Sequence, residues 1–295
     1  MAAATDHWTD LGGGVHVRRS RRYAMNSGAL LHPEHAVLID PGILPSELDD
    51  IARMVAEVEP AAVTVVFTHA HWDHVLGRPW WPRAETLAHD AFAAELRRTA
   101  AHVRDEAQQV AREAGERWTV PFEPFAPHHA VSGLHFRRLG PWRIVVRNAL
   151  GHSHSQINVH LPEQRVLFAA DMLSDLEIPG LDDAPDVYRQ SLDALLPIAH
   201  GGAIETLVPG HGSIAHGRDA VLGRLQDDGD YLDDLEQGVR KAKSDGLGAD
   251  AAVERLAAMD YPGKHATEYP MIPIHRENVL RAWAAMERPR TPRPS

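Results

Sequence analysis

The segment Thr68-His69-Ala70-His71-Trp72-Asp73-His74 constrains this chain more than any other feature. It follows the continuous run Val63 to Phe67, which reads as a strand buried on both faces, so a strand leads straight into four ligand-type residues. His69 and His71 are two apart, and alternate residues of extended backbone emerge on one side, so both imidazoles can reach one ion. Asp73 and His74 follow in the next turn and can reach a second. Histidine is abundant, at 20 of 295 residues, yet four ligand-type side chains within the six positions 69–74 rarely arise as a chance polar loop.

Three further residues of this type stand at predicted strand ends in tight surroundings. His152 in Gly151-His152-Ser153 follows the strand that ends near Arg147 to Ala149, Asp171 closes Val166 to Ala170, and His211 in Pro209-Gly210-His211-Gly212 closes Glu205 to Val208. An α/β sheet presents ligands to a crevice at such strand ends. Taken singly, either histidine reads as a loop residue and Asp171 as a helix N-cap. Beside the first segment they form a set.

The rest of the pattern places these loops in alternating strands and helices. Val15 to Val17, Ala29 to Leu31 and Ala36 to Ile39 read as a β-meander, with Gly12-Gly13-Gly14 as a hairpin turn. Ser46 is the expected N-cap of a helix to Val58, since Leu48, Ile51, Val55 and Val58 recur at helical spacing. Asp90 to Glu116 reads as one long amphipathic helix. Strand pairs are expected at Leu134 to Leu139 with Trp142 to Val146, and at Ile157 to Leu161 with Val166 to Ala169. Asp186 to Ala199 and nearly everything from Arg218 onward read as helix, giving α/β layers.

In the order and approximate spacing of these residues the chain resembles the metallo-β-lactamase fold superfamily. The family's HxHxDH pattern appears as His69, His71, Asp73 and His74, and its later ligands match His152 in GHSHS, Asp171 in AADML and His211 in PGHGS. The resemblance implies a four-layer αββα sandwich over residues 1–217, followed by a helical C-terminal region over 218–288 and a disordered tail over 289–295. It also implies two metals, with His69, His71 and His152 holding the first, Asp73, His74 and His211 the second, and Asp171 bridging them. Asp40, in the turn Asp40-Pro41-Gly42, matches an aspartate that supports the metal loop from behind.

Five imidazoles and two carboxylates suit zinc, and two Zn2+ are the expected cofactors, although iron or manganese accepts the same donors. A water between two such ions loses its proton near neutral pH and becomes the nucleophile, with Asp73 as proton relay. No Gly-x-Ser-x-Gly elbow is present, and Ser153 and Ser155 lack an evident base. The absence of cysteine excludes thiol nucleophiles, thiolate-bound zinc and iron–sulfur clusters. The expected activity is hydrolysis of a thioester, ester or lactone. An iron-dependent persulfide dioxygenase is the alternative, and β-lactamase and nuclease are minor ones.

A net charge of −11 disfavours nucleic acid, so the expected partner is a small-molecule substrate; self-assembly is compatible with the sequence. No apolar run approaches the roughly 20 residues that span a bilayer, and no basic-then-apolar leader is visible, so a cytoplasmic protein without membrane attachment is expected. Residues that bind substrate are not legible. Trp80 with Trp81, the histidines His154, His200, His216 and His265, and the tyrosines Tyr188, Tyr231, Tyr261 and Tyr269 are candidates.

Overall fold

Apolar residues that alternate along the strands meet between two stacked β-sheets. The computed structural model describes residues 7–261, 264 and 271–287. The first sheet runs in sequence order through β1 (Trp8–Gly12), β2 (Val15–Arg19), β3 (Asn26–Leu30), β4 (Ala36–Ile39), β5 (Val63–Val66), β6 (Glu85–His89) and β7 (His129–Val131). Strands β1 to β4 pair antiparallel and β4 to β7 parallel. The second sheet comprises β8 (Leu134–Leu139), β9 (Trp142–Asn148), β10 (Ile157–Leu161), β11 (Val166–Phe168), β12 (Thr206–Val208) and β13 (Ala215–His216), lying in the order 13-12-11-10-9-8. Val17, Val37, Ile39 and Val66 of the first sheet interleave with Ile144, Val146, Val159 and Phe168 of the second. Gly28 leaves room for the Phe168 ring, which a β-carbon there would overlap.

Helices cover both outer faces. Against the first sheet lie α1 (Pro45–Val58) and α3 (Phe92–Glu113), which bury Leu48, Ile51, Leu96 and Val103, while the single turn α2 (Trp72–Val75) sits inside the histidine-rich segment. Against the second lie α4 (Pro185–His200), α5 (Arg218–Ser244), α6 (Ala249–Leu256) and α7 (Met271–Glu287). The expected αββα sandwich with C-terminal helices is therefore the observed architecture. Helices from Arg218 onward share one apolar cluster with α4 and the second sheet, through Val221, Leu232 and Val279 packed with Leu167 and Leu195. Among the described residues no helix is long and apolar enough to cross a membrane.

Two local expectations change. Ser46 is not an N-cap: the helix begins at Pro45 with Leu44 before it, and the Ser46 N–H and hydroxyl both go to the Glu116 carboxylate, a residue the linear pattern could not place there. Strands β1, β6 and β7 are additional: their sequences WTDLG, ETLAH and HAV carry no continuous β-branched run by which a strand is read. Residues 289–295, His265 and Tyr269 lie outside the described residues.

Candidate metal centre

Parallel pairing of β4 with β5 brings the ends of both strands to one edge of the sandwich. There the chain turns sharply at Asp40, whose φ of 43° is left-handed, and its carboxylate accepts hydrogen bonds from the Thr68 N–H, at 2.7 Å, and the Thr68 hydroxyl. The same carboxylate takes His74 Nδ1 at 2.8 Å. Across the sandwich, β11 and β12 also run parallel and deliver Asp171 and His211 side by side. Ala170 is left-handed, with a φ of 55°, and the Gly210 N–H donates to its carbonyl at 2.6 Å. A β-carbon on Gly210 would overlap Asp171 Oδ1, so a glycine is required at that position. The Ile157 N–H donates to the Thr68 carbonyl and the Asn26 N–H to the Gly210 carbonyl, joining the two sheets at the site.

All seven sequence-predicted ligand residues converge there. Asp171 Oδ2 lies 3.5 Å from His69 Nε2, 3.3 Å from His152 Nε2 and 3.5 Å from His211 Nε2, while its Oδ1 lies 3.1 Å from His74 Nε2. His71 Nδ1 is 3.0 Å from His152 Nε2, and Asp73 Oδ2 is 3.1 Å from His211 Nε2. One group of donor atoms, from His69, His71, His152 and Asp171, falls within 4.8 Å, as does a second from Asp73, His74 and His211. Asp171 touches both.

For three of the five imidazoles a contact at the opposite ring nitrogen fixes which atom faces inward. Besides His74 on Asp40, His211 Nδ1 meets the Tyr23 carbonyl at 2.9 Å and His69 Nδ1 meets the Thr68 hydroxyl at 3.1 Å. These acceptors take the Nδ1 proton and leave Nε2 as a lone pair toward the centre, the arrangement that metal-binding histidines adopt. His69 Nε2, His74 Nε2 and Asp171 Oδ1 are buried and have no hydrogen-bond partner among the described residues. Buried polar atoms are seldom left so, and a divalent cation between them would satisfy all three. The residues present therefore fit a pair of metal ions.

Electrostatics agree with that fit. Burial pushes the His69 pKa down, with the neighbouring His74 adding to it. Burial also opposes charge on His74 and His211, but carboxylates led by Asp171 outweigh it and lift both well above the usual range. Asp171 and Asp73 are held well below the usual carboxylate range: burial opposes ionisation, and the surrounding imidazoles overcome it. The two buried carboxylates thus demand positive charge, which imidazolium or a dication can supply.

Other candidates separate by their contacts. Exposed His154 pairs with Asp183 at 2.8 Å, and His200 and His216 are exposed. Trp80 donates to Asp49 and meets Trp118 edge-on, and Trp81 is buried in the core under α1 and α3, so both serve packing. Tyr188 donates to buried Asp228 and the Tyr231 hydroxyl meets His275 and Asn278, which commits both. Tyr261 packs against the Tyr231 and His275 rings. Ser153 bonds to the Glu95 carboxylate, with no histidine to activate it.

The segment after Asp171 holds what sequence reasoning missed. Asp182 Oδ2 lies 3.6 Å from His71 Nε2, and its pKa falls to about 2 because imidazoles led by His71 outweigh burial. Glu177 contributes a donor atom to a group with Asp171 and His211. Burial raises its pKa to about 7 against the pull of His211. The available signal was five acidic residues between positions 171 and 183, too common a pattern to separate from a solvated loop.

A solved metallo-β-lactamase from Pontibacter korlensis superposes with a TM-score of 0.53 at 18% identity, covering 74% of this chain and 98% of that one. The inverting sec-alkylsulfatase Pisa1 from Pseudomonas sp. gives 0.66 at 17% identity over 95% of this chain, which spans only 50% of the sulfatase's length. In sequence, the chain is 26% identical over 227 residues to the acyl-coenzyme A thioesterase MBLAC2 of Gallus gallus, covering 68% of this chain and 78% of the relative. The family model described as the metallo-β-lactamase superfamily matches residues 22–211, and the chain belongs to that superfamily.

Proposed function

We propose that this chain is a dinuclear metal-dependent hydrolase that acts on a carbonyl carbon, with thioesters first among its substrates and esters and lactones next. The observation that carries the reading is Asp171, one carboxylate placed against the donor atoms of both groups. Membership of the superfamily supports metal-dependent chemistry, and the likeness to a thioesterase supports an acyl thioester as substrate.

On this reading His69, His71 and His152 hold one ion, Asp73, His74 and His211 hold the other, and Asp171 joins them. Zinc is the proposed metal. Bound there, the ions would acidify a water and polarise a carbonyl oxygen. The chain's own groups do the rest. Asp40 fixes the His74 ring, and through Thr68 the His69 ring. Asp73 takes the proton released on attack and passes it to the leaving group. Ser153, locked onto Glu95, is unavailable as a nucleophile. The net charge of −11 and the missing cysteine suit a cytoplasmic protein with a small-molecule substrate.

The test is turnover of an acyl-coenzyme A thioester, an activated ester, a lactone, a β-lactam and glutathione persulfide, with metal analysis on the same sample. The expected result is the highest kcat/KM on the thioester. Turnover of the β-lactam or the persulfide alone would overturn the reading.

A further inference from the structure

Glu177 lies between two anchor points of the segment that follows Asp171. On one side the Leu173 N–H donates to Asp228, and Lys264 donates to the Ser174 carbonyl. On the other, Asn278 of α7 accepts the Leu181 N–H and donates to the Pro179 carbonyl. The backbone is therefore held on both sides of Glu177, and its own N–H donates to Ser174 Oγ. Gly212, beside His211, presses on Asp175, Ser174 and Leu176, each of which a β-carbon there would crowd, so this stretch lies against the His211 loop.

So placed, Glu177 offers an oxygen within 4.8 Å of the donor atoms of Asp171 and His211. Its Oε1 is buried and has no hydrogen-bond partner among the described residues. The other acidic group near the centre is different: around His71, Glu95 accepts from Ser153 and Asp182 pairs with His71, so both carboxylates are already engaged. Glu177 is a half-buried carboxylate within reach of the centre, with one buried oxygen that no hydrogen bond among the described residues engages.

We propose that Glu177 is a further ligand of the ion position formed by Asp73, His74 and His211, which makes the two positions of the centre chemically unequal. The inference rests on the metal-binding reading given above. With Asp171 shared, one position has three imidazoles and a carboxylate, the donor count of a tetrahedral zinc site. The other has two imidazoles and three carboxylates, and with one water it reaches six donors. Six-coordinate, carboxylate-rich sites suit the geometry of manganese or iron(II), whereas zinc is served by four donors and gains less from the added one. The third carboxylate also lowers the net charge of the site by one, which suits a hard cation.

The experiment uses the full chain, stripped of metal and reloaded with one equivalent of Zn2+, into which Mn2+ is titrated while free Mn2+ is followed by its electron paramagnetic resonance signal. A parallel titration adds a second equivalent of Zn2+. Glu177→Gln keeps the size and removes the charge; Glu177→Ala and a melting curve control for folding. The expected result is a second-position affinity for Mn2+ weakened about tenfold or more by Glu177→Gln, the scale on which lost ligand support acts. The loss for Zn2+ should be clearly smaller, and the first equivalent of Zn2+ should be retained. Equal losses for the two metals would assign Glu177 a general structural role and overturn the proposal. Unchanged Mn2+ affinity with altered KM would make it a substrate contact and overturn it equally. If wild type takes up no second ion of either kind, the dinuclear reading falls with it; if it takes up two and the variants bind both metals as wild type does, only this inference falls.

Discussion

Asp171 reaches four imidazoles with two oxygens: His69, His152 and His211 lie against Oδ2 and His74 against Oδ1. Asp171→Ala should therefore abolish turnover and lower bound metal, measured by elemental analysis. His154→Ala, two residues from His152 but exposed and paired with Asp183, should keep its metal. Equal metal loss in both would show that the loop is wrongly assigned. Asp73 differs in kind, since its oxygen faces His211 and it is the proposed proton acceptor. Asp73→Asn retains an oxygen ligand and removes charge and basicity. On metal-saturated protein it should lower kcat at least about 10²-fold with a much smaller change in KM. A kcat close to wild type would reduce Asp73 to a structural ligand.

Elements, and not only residues, hold the site in register. Asp228 of α5 accepts from Tyr188 at 2.7 Å, from the Leu173 N–H at 2.9 Å and from Lys264 at 2.6 Å, and the Asp228 and Lys264 side chains are each 1% exposed. One carboxylate from a C-terminal helix thereby ties α4, α5 and the loop of Asp171 together. Removing one partner of a buried ion pair leaves the other charge uncompensated, at a cost of about 3–5 kcal/mol. Asp228→Ala should lower stability by that amount in urea unfolding. It should also weaken metal retention, because the Leu173 N–H loses its acceptor two residues from Asp171. Normal stability with normal metal content would mean that α5 does not support the site.

At the scale of the whole molecule, the two sheets bring their halves of the centre to one edge, so ions bound there would crosslink the sandwich. A ligand that binds only the folded state stabilises it, by about 2.7 kcal/mol at a concentration 100-fold above Kd. Purified, metal-replete protein should hold about two ions per chain, since seven donor groups exceed the four that a tetrahedral ion uses. Chelation should lower the melting temperature, and added Zn2+ should restore it. One ion per chain with full activity, or a melting temperature indifferent to chelation, would contradict a dinuclear centre between the sheets.

The sequence by itself determined the alternating α/β layers and the seven residues that converge, because both are written in local patterns, while the αββα order of the layers came with the resemblance to the superfamily. Val63 to Phe67 announces a buried strand, and the spacing of His69, His71, Asp73 and His74 follows directly from it. The same locality left β6 and β7 unread, since ETLAH and HAV carry no continuous apolar run and are strands by virtue of the neighbour they pair with. Ser46 misled for a related reason: its capping chemistry was claimed by Glu116, 70 positions away. Only tertiary structure could bring Glu177 and Asp182 to the centre, because an acidic residue in a loop has no spacing signature. Their placement depends on Asp228 and Asn278, which lie on helices far along the chain and fix the segment in space. Metal-ligand spacing is a property of neighbouring residues, whereas enclosure of the centre comes from contacts between distant ones.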